Sequence, residues 1–424
     1  MTITWRRGVL GDLGDIRSGG TPATNQPRYW NGEIPWCTPT DITALSSRHL
    51  ASTSRTITPL GLNDSSAELL PPGSVVVCTR ATVGVAAIAQ IPLATNQGFK
   101  SIVPAEDFDS DFVYYLVTSL RGEMERWAAG STFLEISGSN FAKLPVTYPV
   151  GKAAQQSLAR PLVLVDEVIQ RTQSVISRKR ALKLALLQEL LMGRRRFPEF
   201  GAPSGDDRSP PVGWRVAKLG DVTDVRVSGI DKHSRPDEPA VRLCNYMDVW
   251  TKAYITDSLP FMRATASSAE IERFALLSGD VLLTKDSETR EDIAQTSVVL
   301  DAGADVVLGY HTALARPTHA DVDGRFLAAQ LRHPRFRQHF IRAAQGATRF
   351  GLTYDALTSA PVWLPPLAEQ QRIADLDRVL HLEIELIERQ REAYVSQNRA
   401  LMHRLLSGPL SRPALATAPE LAHA

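Results

Sequence analysis

The stretch Gln155–Gly193 reads QQSLARPLVLVDEVIQRTQSVISRKRALKLALLQELLMG, and the chain carries it a second time. At Gln370–Gly408 it returns as QQRIADLDRVLHLEIELIERQREAYVSQNRALMHRLLSG. A shift of 215 superposes the two without a gap over 39 positions. Gln155-Gln156 becomes Gln370-Gln371, Leu190-Leu191 becomes Leu405-Leu406, and Gly193 becomes Gly408. Apolar residues recur at alternating three- and four-residue steps or their multiples. They are Val165, Ile169, Ile176, Leu186 and Leu190 in the first copy, and Leu380, Ile384, Ile387, Tyr394, Leu401 and Leu405 in the second. That spacing is the 3.5 repeat of a coiled-coil seam, so both copies are expected to be long helices that pair. Polar residues interrupt the seam at Thr172, Lys179, Lys183, Arg391 and Asn398. Such residues lower stability but can set register and partner.

The copies differ in charge. Residues 151–197 hold ten Lys/Arg against three Asp/Glu, and residues 366–408 hold six against seven. A basic helix beside a slightly acidic one favours pairing with each other over self-pairing. If a two-fold axis relates the repeats, the helices run antiparallel. Pro161 is expected to kink the first helix or to mark its true start. Ungapped register over this length argues against two unrelated amphipathic helices.

The repeat extends outward from the helices. Trp5-Arg6 and Leu10-Gly11-Asp12 reappear at a shift of 209 as Trp214-Arg215 and Leu219-Gly220-Asp221. Cys37 and Asp41-Ile42 reappear at 207 as Cys244 and Asp248-Val249. Gly130-Ser131-Thr132 matches Gly346-Ala347-Thr348 at 216. The expected organisation is a globular domain over 1–150, a long helix over 151–197 and a Pro/Gly-rich linker over 198–213. A second domain follows over 214–365, then a second helix over 366–408 and a disordered Pro/Ala-rich tail over 409–424. Within the domains, Val75–Thr79, Val281–Thr284 and Val298–Leu300 read as strands, and Phe112–Ala129 and Gly324–Ala344 as helices. The fold class is α+β: two mixed domains alternating with two long helices that pair as an antiparallel coiled coil, in a pseudo-two-fold repeat.

A chain of 424 residues is long enough for two or three cores. Net charge is +1, so no global basic excess points to nucleic acid. Three cysteines without CxxC spacing argue for a reducing, cytoplasmic setting, against a disulfide framework and against a zinc site. The opening residues have no apolar run of the kind a signal peptide needs, and no stretch is long and apolar enough to span a membrane.

Searches for catalytic spacing find none. The GxxxxGK[ST] loop, a nucleotide-cofactor glycine fingerprint, HExxH, GxSxG and the Asn-Pro-Pro-aromatic motif of methyltransferases are all absent. Polar clusters remain, at comparable places in the two domains. Domain one offers Ser18, Thr21, Arg80, Asn96, Gln97 and Lys100, with Tyr29-Trp30-Asn31-Gly32 nearby in sequence. Domain two offers Lys232, Lys285, Ser287 and His311, followed by a basic run from Arg332 to Arg349. These residue types reach phosphates and base edges, though each cluster alone also fits a turn or a solvated face. Arg80 and Lys285 follow matched strands, which favours those two.

The ordered set of features resembles the specificity subunits of type I restriction–modification systems. Trp…Leu-Gly-Asp at the entry of each domain and Pro366-Leu367-Ala368-Glu369-Gln370-Gln371-Arg372-Ile373-Ala374 at the exit of the second carry the likeness. So do Gly20-Thr21-Pro22, Tyr29-Trp30, Ile34-Pro35-Trp36 and Ala94-Thr95-Asn96-Gln97-Gly98-Phe99. At the first helix, Gly151-Lys152-Ala153-Ala154 departs from the family's acidic entry. The resemblance implies that each globular domain is a target-recognition domain reading half of a bipartite, asymmetric sequence in double-stranded DNA. It implies that the helices act as a ruler and dock two methyltransferase subunits. Those partners would carry S-adenosylmethionine, and motor/endonuclease subunits would carry ATP and magnesium, leaving this chain non-catalytic and without a cofactor. The residues taken alone also fit a coiled-coil adaptor with two protein-binding domains and no DNA role.

Overall fold

A computed structural model describes residues 3–128, 135–203 and 209–408. The Gly130–Thr132 repeat element and the 409–424 tail fall outside these residues. The chain divides into two compact units, Met1–Ile176 with Ile387–Ala424, and Ser177–Leu386. Each contains one globular domain and one stretch of each long helix.

The two domains share one topology. In the first unit a five-stranded sheet runs in the order Gly14–Ser18, Phe99–Pro104, Val75–Cys78, Ala86–Ala89, His49–Leu50. In the second the order is Thr223–Val227, Thr312–Pro317, Val281–Thr284, Thr296–Val299, Tyr254–Ile255. The last strand is parallel to its neighbour in both, and the other pairings are antiparallel. Each domain adds a three-stranded sheet centred on Trp30–Cys37 or Ala240–Cys244. A two-stranded ribbon joins the first strand of each domain to its last, Trp5–Val9 with Pro145–Pro149 and Arg215–Lys218 with Pro361–Leu364.

The central strands, Val75–Cys78 and Val281–Thr284, are buried throughout and apolar but for Thr284, because both faces are covered. Successive side chains point to opposite faces, so Val75 and Val77 enter one core with Ile102 and Phe112, while Val76 and Cys78 enter another with Leu50 and Phe99. The second unit repeats this: Val281 and Leu283 join Phe326 and Phe340, and Leu282 joins Leu243 and Phe274. Full burial of each such side chain contributes roughly 1.5–3 kcal/mol.

The long helices span Lys152–Leu191 and Leu367–Leu406, 40 residues each, and their bounds obey the same shift of 215. At about 1.5 Å per residue each is roughly 60 Å long. Both are followed by a glycine in the left-handed region, Gly193 (φ 66) and Gly408 (φ 64). After the first helix, Arg194 N–H donates to Glu189 O at 3.0 Å, which satisfies a terminal carbonyl. Pro161 does not mark the start of its helix, which is continuous from Lys152. Its missing N–H leaves only the Ser157 carbonyl without its usual helical donor.

Within each unit the helix stretches run antiparallel, and the polar interruptions of the seam are cross-helix partners. In the first unit Asn398 Nδ2 donates to Asp166 Oδ1 at 2.6 Å, and Arg391 Nη1 to Gln173 Oε1 at 2.6 Å. In the second, Lys179 Nζ lies 2.6 Å from Glu383 Oε1 and Lys183 Nζ 2.8 Å from Asp377 Oδ1. Thr172 is the exception, its hydroxyl donating to Val168 O of its own helix. The expected seam residues are all buried or half-buried. Several do more than line a seam: Leu190 lies in the core of the second globular domain with Leu186 packed on it, and Leu401 and Leu405 pack on the core of the first.

Two expected helices are each broken in two. Phe112–Ala129 is Ser110–Ser119 followed by Arg121–Trp127, with Leu120 (φ −86, ψ 6) between them. Gly324–Ala344 is Gly324–Arg332 followed by Pro334–Ala343. There Pro334 forces His333 into extended backbone (ψ 135), and the His333 side chain caps the next helix.

Gln155 and Gln370 explain why the repeat opens on glutamine. Gln155 is buried; its Oε1 accepts from Asp109 N–H at 2.8 Å, and its Nε2 donates to Asp107 O and Pro149 O, each at 3.3 Å. Gln370 makes the same three bonds, to Asp323 N–H (2.9 Å), Asp321 O (2.9 Å) and Pro365 O (2.8 Å). One amide side chain thus ties the helix start to the preceding strand and to the N-cap of a domain helix.

Candidate nucleic-acid interface

In the first domain, antiparallel register puts Ser18 opposite Lys100 and Cys78 opposite Phe99. The end of one strand, the start of the next and the exit of a third therefore meet at one edge of the sheet. The loop after Ser18 runs tightly against the turn at Asn96. Gly19 N–H donates to Phe99 O (3.3 Å) and Gly20 N–H to Thr95 O (2.9 Å). A Cβ on Gly19 would sit 1.8 Å from Asn96 O, so a side chain there would break the contact. The Thr21 hydroxyl then bonds the Gln97 side chain. Asn96 Oδ1 accepts from Gly98 N–H at 2.9 Å, which shapes the turn and leaves Gln97 exposed. Arg80 leaves the sheet beside Glu135, with its Nε 3.8 Å from the carboxylate and its side chain 44% exposed. Ala81 follows at φ 64, an uncommon conformation for a residue with a side chain. Ser18, Thr21, Arg80, Asn96, Gln97 and Lys100 are thus gathered at one edge. The Tyr29–Gly32 group is used differently. Tyr29 is buried with its hydroxyl on Asp64 (3.0 Å), and Trp30 meets Trp36 edge to face beneath the Arg55 guanidinium.

The second domain builds the corresponding edge with other chemistry. Thr79 N–H donates to Gly98 O, and Lys285 N–H to His311 O; Ile136 N–H donates to Thr79 O, and Leu352 N–H to Lys285 O. Hence Lys285 stands where Thr79 does, and the counterpart of Arg80 is Asp286, which pairs with Gly351 as Arg80 pairs with Glu135. A cation in one domain is replaced by an anion in the other. Asp286 holds both nearby bases: Lys285 Nζ lies 2.8 Å from Oδ1, and His311 Nδ1 2.6 Å from Oδ2. The His311 ring packs on Tyr310 (4.2 Å), with Lys232 Nζ 5.7 Å from the Tyr310 centroid.

Two adjoining clefts of about 430 and 480 Å³ open at this edge. Ser287 and His311 line the first, Lys232 and His311 the second, and Tyr246, Met247 and Arg349 line both. The sequence reading missed Tyr246, Met247 and Trp250. Their one signal in the sequence is the Asp41-Ile42/Asp248-Val249 match, which lies among them. Most of the Arg332–Arg349 run serves the fold. Arg332 reaches Asp377 (3.0 Å), Arg337 donates to Ile293 O (3.2 Å), and Arg335 lies over the Trp363 ring (4.5 Å).

Among the described residues no His/Cys/Asp/Glu group could hold a metal ion, and no helix is long and apolar enough to cross a membrane. All three cysteines are buried thiols. Burial pushes Cys78 up to about 11 and raises Cys37 and Cys244 as well, which suits packing and not nucleophilic chemistry.

The chain matches the family model "Type I restriction modification DNA specificity domain" twice, over residues 3–177 and 211–396. It is 32% identical over 225 residues to the type I restriction enzyme MjaIX specificity subunit of Methanocaldococcus jannaschii, covering 52% of each chain. It is 28% identical over 155 residues to the EcoR124I/EcoR124II specificity subunit of Escherichia coli, covering 35% of this chain and 37% of that one. The matched segments thus span about half of the first of these relatives and just over a third of the second. In fold it is similar to the S subunit of the type I restriction–modification system from M. genitalium (TM-score 0.54, 13% identity, 96% of each chain). A chain from a structure of type I R-M complex assembly gives the same TM-score of 0.54 at 18% identity, covering 96% of this chain and 98% of that one. With two specificity-domain matches laid over two units of one topology, this chain belongs to the type I restriction–modification DNA specificity family.

Proposed function

We propose that this chain reads a bipartite, asymmetric DNA target for a type I restriction–modification complex and is itself non-catalytic. Residues 1–150 read one half-sequence and residues 214–365 the other. The observation that carries this reading is the pairing of one frame with two unlike edges, Arg80 in one domain and Asp286 at the same place in the next. Two domains that read the same bases would have no cause to invert a charge there. The bases and phosphates fall to Ser18, Thr21, Arg80, Asn96, Gln97 and Lys100 on one side, and to Lys232, Lys285, Ser287 and His311 on the other.

The long helices dock the methyltransferase subunits, and those recruit the motor/endonuclease subunits. Apolar side chains outside the seam support this: Leu164, Val168 and Val175 in one unit, and Leu182, Val379 and Leu386 in the other, each more than 40% exposed. Residues of this kind at helical spacing suit a partner's helices better than water.

The test is to replace residues 1–150 with the first domain of another family member and map methylated adenines. One half of the methylated motif changes and the other stays. A change in both halves overturns the modular reading.

A further inference from the structure

The same short helix stands beside both edges. Pro39–Thr43, capped by Thr38, follows the strand ending at Cys37, and Tyr246–Thr251, capped by Asn245, follows the strand ending at Cys244. Their frames agree. Asp41 Oδ2 accepts from Thr38 N–H at 2.7 Å and Asp248 Oδ2 from Asn245 N–H at 2.8 Å. Asn96 N–H donates to Cys37 O (3.0 Å) and Gly309 N–H to Cys244 O (2.8 Å), which locks each helix to the turn at the edge. Ile42 and Val249 point inward and are buried.

The outward positions disagree. Where the first domain has Pro39, Thr40 and Thr43, the second has Tyr246, Met247 and Trp250. Met247 is 56% and Trp250 41% exposed. Large apolar groups here add nothing to the core, and they wall the clefts that Lys232, Ser287 and His311 line. Arg349 stands at both clefts, and the Asp286 charge is already held by Lys285 and His311. The clefts carry cations, Lys232 and Arg349, and carboxylates, Asp248, Glu288 and Asp292; in a duplex groove the cations suit phosphates and the apolar groups bases. At base edges in the major groove the apolar group on offer is the thymine 5-methyl.

We propose that Met247 and Trp250, with Tyr246 beside them, read thymine in the second half-site by packing on its 5-methyl group. This rests on the DNA-reading function proposed above and assigns specificity to residues of the second domain. The first domain, with Pro39, Thr40 and Thr43 at these positions, offers a much smaller apolar surface there.

The test uses the complex assembled with its methyltransferase subunits and a duplex carrying the motif mapped for the unaltered protein. Thymines are replaced one at a time by deoxyuridine, which lacks only the methyl group. At one or more second-half positions, affinity falls about fourfold, the equivalent of one methyl's burial. The Met247→Ser and Trp250→Ser variants lose that sensitivity, and Met247→Leu keeps it. First-half substitutions affect all the proteins alike. Both serine changes sit on exposed positions and leave the Asn245–Asp248 cap intact, and a thermal unfolding scan verifies the fold. The proposal is overturned if deoxyuridine in the second half has no effect, acts equally on wild type and variants, or if the second half contains no thymine. If the unaltered complex does not distinguish the target from a scrambled duplex, the DNA-reading function itself fails.

Discussion

Gln155 and Gln370 occupy equivalent places in the two units and make the same three hydrogen bonds, whereas Arg80 and Asp286 occupy equivalent places and carry opposite charge. The buried acids of the helices diverge as well. In the first unit Asp166 is held by neutral groups, the Tyr115 hydroxyl (2.5 Å) and the Asn398 amide (2.6 Å). In the second, Asp377 is held by Lys183 (2.8 Å), Arg332 (3.0 Å) and the Tyr254 hydroxyl (2.9 Å). Bonds that tie helix to domain are repeated because both halves need the same joint. Side chains at the edges, and the pairs between helices, vary because only their local partners constrain them.

The largest expected difference between the halves lies in these acids. Asp377→Ala leaves Lys183 and Arg332 without their shared partner and costs about 3–5 kcal/mol. Asp166→Asn removes a charge whose hydrogen bonds come from neutral groups and costs under about 1 kcal/mol. Urea denaturation of the two variants measures this, and equal losses would break the contrast.

Acid should separate the same two groups. Burial alone would raise Asp377, but the Arg332 guanidinium and Lys183 ammonium outweigh it and hold the carboxyl below its usual value. Its contribution is therefore present above the ordinary carboxylate range and is lost as pH falls through the lowered folded value. Burial pushes Asp166 up, against the Tyr115 hydrogen bond, so its folded form prefers the proton and its cost appears as pH rises through the carboxylate range. Stability followed from neutral pH to pH 3 should show Asp377→Asn flattening the acid loss and Asp166→Asn steepening it.

The joints should behave alike. Gln155→Ala and Gln370→Ala each strand a buried N–H and two carbonyls, at about 1–3 kcal/mol apiece. Hydrogen exchange at the Asp109 and Asp323 amides reports each joint separately, and a response at only one would show that the repeat is not functionally symmetric there.

The edges should respond in opposite directions. Arg80→Ala weakens specific binding by about 1–3 kcal/mol where the guanidinium reads a guanine, while loss of a phosphate contact weakens all sequences and lowers the salt slope. Asp286→Ala releases Lys285 and His311 and strengthens DNA binding by up to about 1 kcal/mol. Titrations at two salt concentrations distinguish these outcomes, and the comparison of edges fails if both variants weaken binding.

The sequence by itself determined the two-fold plan, the two helices and their common shift of 215. Those features are legible because a coiled-coil seam writes itself as a period and a duplication writes itself as an offset. It also marked Lys179, Lys183, Arg391 and Asn398 as breaks in the seam. Tertiary structure decided who answers them, because Glu383, Asp377, Gln173 and Asp166 lie some 200 residues away along the chain. The edge was legible as residue types but not as a register. Matching strand exits by eye joins Lys285 to Arg80, whereas hydrogen bonding joins Lys285 to Thr79 and sets Asp286 against Arg80. A difference of one residue at a strand end cannot be seen without the neighbouring strand, since pairing alone fixes which side chain comes next. The Tyr246–Thr251 helix stayed hidden for a related reason. Six residues are too few to show a period, and what makes them a cleft wall is their nearness to Lys232, Ser287, His311 and Arg349, a proximity that only folding creates.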